Sequence, residues 1–109
     1  MTERVSFDLA VQDRFIEKVR EVARDCGYAV GVHGSRQRDL DLMAVPWTER
    51  AIAPQHFVEA LLERLPNLQL KPHLEPELLT NPTRMPNGRI GWALIGAPAC
   101  RYLDLSVFA

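Results

Sequence analysis

The sequence predicts an α+β fold: a small mixed β-sheet with two main helices packed on one face. Two segments carry apolar residues at helical spacing, and four short apolar segments read as strands. The order is helix, two strands, helix, loop, two strands, so strands and helices do not alternate as they would in a doubly wound fold. A length of 109 residues fits a single domain, 1–109.

The first helix is expected from Leu9 to Cys26. Val11, Phe15, Val19, Val22 and Cys26 recur at three- and four-residue spacing, opposite Asp13, Glu17, Glu21 and Arg24. Gly27 stops it, because glycine tolerates the left-handed conformation after a helix. Tyr28–His33 is expected as a short strand and Asp39–Val45 as a second, with Pro46 ending it. The Gly34-Ser35 turn joins them too tightly for a helix in between. Ala53-Pro54 opens the second helix, whose buried stripe is Phe57, Val58, Leu61, Leu62 and Leu65.

A proline-rich stretch follows, with prolines at 66, 72, 76, 82 and 86. Helix is disfavoured there, although Leu68–Leu74 could form an edge strand within the loop. The length of this stretch, residues 66–88, in so small a domain suggests a flap, a binding loop or a partner surface. Asn87-Gly88 is a turn signal, Arg89–Ile95 a strand, Gly96-Ala97-Pro98 a turn, and Tyr102–Phe108 the last strand.

The net charge of -1 argues against a global basic field that would draw the chain to DNA or to a membrane surface. No apolar run reaches the length of a membrane span, and no secretory signal stands at the N-terminus. The two cysteines, Cys26 and Cys100, lack metal-type spacing, so a reduced, cytoplasmic setting with both thiols buried is expected.

The chemistry concentrates in Gly34-Ser35-Arg36-Gln37-Arg38-Asp39-Leu40-Asp41-Leu42. On a strand, Asp39 and Asp41 share one face while Leu40 and Leu42 take the other. A carboxylate pair on an otherwise apolar strand is costly unless something charged satisfies it. The last strand repeats the pattern in Leu103-Asp104-Leu105, so three acids converge if the two strands are neighbours. Together with a glycine–serine turn and the arginines Arg36 and Arg38, these are the parts needed to hold a metal-bound triphosphate.

In these residues the chain resembles the DNA polymerase β-like nucleotidyltransferase superfamily, in a minimal form. The resemblance implies that Gly34, Ser35, Arg36 and Arg38 contact the phosphates of a nucleoside triphosphate. It implies that Asp39 and Asp41 ligate Mg2+, with Asp104 as third ligand or as the base that activates a hydroxyl acceptor. The link between Gly34-Ser35 and Asp39 is shorter than in most members, which carry a helical turn there, and the usual substrate-selecting domains are lacking. The chain also resembles small uncharacterised phage and prophage proteins that share Asp-Leu-Asp-Leu followed by Val45-Pro46-Trp47.

Plainer readings stand beside these. The acids suit the solvent side of a half-exposed sheet, Ser35 is an ordinary turn former, and Arg36 and Arg38 suit ion pairs with the neighbouring aspartates. His33 reads as structural, His56 as exposed, and His73 lacks a zinc partner. Trp47 and Trp92 are expected to be buried in a core or an interface. Three functions follow: a metal-dependent nucleotidyltransferase, an inactive relative acting as a binding module, or a transferase that needs a partner chain.

Overall fold

The computed structural model describes residues 8–70 and 81–108. The first helix, α1 (Leu9–Cys26), starts at Asp8, whose carboxylate accepts from the Val11 amide at 3.2 Å. Satisfying one of the free amides of the first turn in this way fixes the helix start. It ends at Gly27, which has φ 85° and donates its amide to the Ala23 and Arg24 carbonyls. A side chain there would be strained, and its Cβ would stand 2.6 Å from Ala51 Cα.

Among the described residues six strands form one sheet: β1 (Tyr28–His33), β2 (Leu40–Pro46), β3 (Gln69–Leu70), β4 (Thr83–Arg84), β5 (Arg89–Ile95) and β6 (Leu103–Phe108). The order is β1-β2-β6-β5-β3, with β4 also on β5. Among the described residues only β2 and β6 run parallel; the other pairs are antiparallel. The second helix, α2 (Pro54–Arg64), carries proline in its first turn, where a missing amide costs nothing.

Both helices contribute to one core. Phe15, Ile16, Val19 and Val22 of α1 and Phe57, Val58 and Leu61 of α2 are buried with Leu40, Leu42, Ala44, Leu103, Leu105, Val107, Trp92 and Leu94 of the sheet. The Tyr28 and Phe57 rings stack with centroids 4.8 Å apart, and the Tyr28 hydroxyl donates to the Ile52 carbonyl at 2.6 Å. Strand alternation then sends Asp41, Met43, Asp104 and Ser106 to the opposite face, which no helix among the described residues covers.

The sides of β1 and β5 that face away from β2 and β6 are partly occupied. On β1, Arg20 Nε of α1 donates to the Val30 carbonyl at 3.2 Å. On β5, β3 pairs with Leu94 and Ile95 while β4 pairs with Ile90 and Gly91. Between them the Asn81 side chain bonds both backbone groups of Ala93, at 2.7 and 3.1 Å.

The expected elements differ from the observed ones in a few places. Strand β2 runs Leu40–Pro46, so Asp39 lies in the bend before the strand, and Pro46 is part of it. Pro46 is tolerated because pairing with β6 stops at Ala44–Val107 and only β1 accompanies the strand beyond. Strand β6 starts at Leu103 rather than Tyr102. Of the expected strand Leu68–Leu74, Gln69–Leu70 is β3, and residues 71–74 lie outside the described residues, as does His73. The described ends of the proline-rich stretch are tied to β5 rather than free. Trp92 is buried at 6% exposure, whereas Trp47 stands 77% exposed. His56 is exposed beside Glu59.

Candidate functional site

The acids meet because β2 and β6 are neighbours in register. Asp41 pairs with Asp104, just as Leu40 pairs with Leu103 and Leu42 with Leu105. Cross-strand spacing puts their Cα atoms about 5 Å apart, with both side chains on the helix-free face. His33 pairs with Asp41 on the other side, and Ala93 with Asp104, so His33, Asp41, Asp104 and Ala93 form one row across the sheet. Asp104 is exposed and Asp41 half-buried.

Asp39 sits at the head of β2, where Leu40 donates its amide to the Tyr102 carbonyl at 2.9 Å and Arg101 donates to Arg38 at 2.8 Å. These bonds lay the bend before β2 alongside the bend before β6. Asp39 Oδ1 is buried and accepts no hydrogen bond among the described residues. Cys100 lies close to Asp39, Asp104 and the Leu40 amide. Burial is the main cause that pushes its thiol up to about 11, with the two carboxylates adding to the rise and the Leu40 amide opposing it.

The glycine–serine turn closes over Asp41. Gly34 has φ 79°, and a Cβ there would stand 2.7 Å from Asp41 Oδ2. Only glycine leaves this approach open at that backbone angle. Ser35 Oγ accepts from the Gln37 amide at 3.3 Å, a local turn bond that leaves its proton free to donate.

The two arginines diverge. Arg36 turns away from the aspartates to α1, where Nε donates to Gln12 Oε1 at 2.9 Å and a terminal nitrogen meets Asp13 at 2.7 Å. It is therefore ion-paired, but with a residue far away in sequence rather than with Asp39 or Asp41. Arg38 is exposed beside the bend, and its side chain makes no hydrogen bond or ion pair among the described residues.

Among the described residues, no three His, Cys, Asp or Glu side chains stand close enough together to enclose a metal ion. As they stand, the three acids therefore do not enclose a cation, and the donors a hard ion would use are of the right chemical type only. Asp41 and Asp104 are adjacent carboxylates, Asp39 has a buried oxygen without a partner among the described residues, and only the missing Cβ of Gly34 lets the turn approach Asp41.

Three neighbours of the site stand outside the expected site residues. His33, which the sequence places next to the Gly34-Ser35 turn and which reads there as structural, joins the row because a hairpin centred on Gln37 pairs position 33 with 41. Gln12 interrupts a buried stripe of Ile16, Val19, Ala23 and Cys26 at regular helical spacing, which marks it as a buried polar residue. Cys100 leaves no spacing signal. Comparison with protein-family models and with curated proteins finds no match to this chain.

Proposed function

We propose that this protein binds a magnesium–nucleoside triphosphate on the helix-free face, at the head of β2 and β6, and transfers a nucleotidyl group to a hydroxyl acceptor. The observation that carries the reading is the in-register pairing of Asp41 with Asp104 on parallel strands beneath the Gly34 turn. Asp41 and Asp39 hold the cation, with Asp104 as third ligand or base. When bound, magnesium neutralises phosphate charge and fixes the in-line geometry. The Gly34 and Ser35 amides and the Ser35 hydroxyl face the phosphates. Arg38 supplies the guanidinium contact, since Arg36 is held on α1. The acceptor oxygen bonds to the α-phosphorus, the bond to the leaving pyrophosphate breaks, and the hydroxyl proton passes to Asp104.

A second reading draws on Arg36 and Trp47. With one arginine committed to α1 and a tryptophan 77% exposed, the fold also suits an inactive module that acts through a protein partner. Calorimetric titration of ATP, GTP, CTP and UTP with magnesium into the wild type and Asp41→Asn separates the two. Magnesium-dependent binding that disappears in the variant supports the transferase. Heat-silent titrations for all four nucleotides would favour the partner-binding module.

A further inference from the structure

Gln12 is the one buried polar side chain in the described core, at 0% exposure, and all its bonds reach distant loops. Nε2 donates to the Ala99 carbonyl at 2.6 Å and to the Arg36 carbonyl at 3.4 Å, while Oε1 accepts from Arg36 Nε at 2.9 Å. The partners fix the orientation of the amide, because a guanidinium only donates and a carbonyl only accepts. Arg36 and Ala99 are both left-handed, with φ of 61° and 56°. Non-glycine residues take that conformation at a cost, so something outside the loops must hold it. Arg36 lies three residues before Asp39, and Ala99 five before Asp104. One side chain on α1 therefore ties both acid-bearing segments at the point where each departs from ordinary backbone geometry.

We propose that Gln12 is a positioning residue for the carboxylate site: with Arg36 it clasps the bend before β2 to the bend before β6 and so sets the spacing of Asp39 and Asp41 against Asp104. The cation-binding role of the clasp rests on the reading of those acids given above; the clasp itself rests on the hydrogen bonds alone. A side chain that merely filled the core would be replaceable by an apolar one of similar volume. A clasp would not, because the Ala99 carbonyl and the Arg36 guanidinium would lose their shared partner.

The test compares wild type with Gln12→Met, which keeps the length of the side chain and removes its amide. Two readouts are taken. In the first, iodoacetamide labelling at fixed pH is resolved by mass spectrometry for each cysteine. Cys100 directly follows Ala99, and Cys26 is buried in the core at 5% exposure, where it reports opening of the whole fold. In the second, Mn2+ binding is measured by calorimetry. We expect Cys100 to label several-fold faster in the variant with Cys26 unchanged. We expect Mn2+ affinity to fall about tenfold or more, the loss typical of a residue that orients metal ligands. Equal labelling of Cys100 in both proteins would overturn the clasp. So would acceleration of both cysteines together, which would make Gln12 a general core residue. A wild type that binds no Mn2+ would overturn the cation reading of the acids, and the labelling comparison would still decide the clasp. Unchanged Mn2+ affinity alongside a released Cys100 would overturn the claim that the clasp sets the carboxylate spacing.

Discussion

Replacing Asp41 by asparagine should stabilise the protein in the absence of divalent cations and abolish its response to them. Asp41 and Asp104 are directly opposed on adjacent strands, and Asp104 is exposed, so their repulsion acts through a largely aqueous medium. Two unit charges about 5 Å apart in water repel by roughly 0.8 kcal/mol, within the range of about 0.2–1 kcal/mol for like charges across a strand pair. For a domain of this size that corresponds to a rise in Tm of about 1–4 °C. Salt should shrink the difference, because the pair is screened. Under the proposed function, cation binding works in the opposite direction. A ligand at about 100 times its Kd adds about 2.7 kcal/mol to the native state, or roughly 10 °C. The assay is thermal unfolding of both proteins at low ionic strength, with and without Mg2+ or Mn2+. Wild type should gain markedly from the cation and Asp41→Asn should not. A variant that melts lower than wild type in cation-free buffer would refute the argument and make Asp41 a structural aspartate. An equal cation response in both proteins would place the binding elsewhere.

Three further outcomes follow from the same geometry. Gly34→Ala should cost about 1–2 kcal/mol from its left-handed backbone alone, and should weaken the cation response because the new Cβ displaces the Asp41 carboxylate; in an Asp41→Ala background, urea melts should show only the backbone cost. Alkali should destabilise the fold: burial raises the Cys100 thiol from 9.0 to about 11 and raises Cys26 and Tyr28 in the same direction. The native state therefore keeps protons that the unfolded chain has lost, so stability is full below about pH 9 and falls as pH rises towards about 11; a urea midpoint that holds or increases over that window would contradict this. Trp47→Phe should change stability by less than about 0.5 kcal/mol and remove most acrylamide-quenchable fluorescence, leaving the protected emission of Trp92; strong protection of both tryptophans in wild type would show Trp47 to be covered.

The fold was legible because its local signals and its tertiary demands agree. In α1 the apolar spacing, the Gly27 stop and the buried face all coincide, and its bounds match the sequence reading. Strands β1 and β5 match for the same reason: each is a short apolar run closed by a glycine or a tight turn. Strands β3 and β4 were harder to read, since two residues each carry no periodicity and form only because β5 offers an open edge. At the candidate site, the neighbourhood of Asp41 and Asp104 could be expected from the repeated Leu-Asp-Leu, but their register is set by pairing between strands more than sixty residues apart. The direction of Arg36 was beyond the sequence altogether. Asp39 is its neighbour in the chain, yet the left-handed turn at Arg36 aims the guanidinium at Gln12 and Asp13 on α1.

That misdirection bears on what the loop between Gly34 and Asp39 can do. A short link without a helical turn shifts the glycine turn relative to the acids, so a phosphate held by one is aligned with a cation held by the other only where the link is fixed in a suitable conformation. Here the link is anchored at its middle: Arg36 is bonded to α1 by both side chain and backbone, and Arg38 receives the Arg101 amide at 2.8 Å. One of the two arginines that the sequence offers as phosphate ligands is thus spent on holding the turn beside Gly34 and Asp41. Converting Arg36 to lysine separates these roles. Lysine keeps the positive charge but lacks the planar fork that reaches Gln12 and Asp13 together. If Arg36 acts as an anchor, Arg36→Lys should release Cys100 to alkylation and lower the Tm without a selective loss of nucleotide affinity. If it acts on phosphate, nucleotide binding should fall while the alkylation rate and the Tm stay at their wild-type values, and the anchoring argument would be wrong.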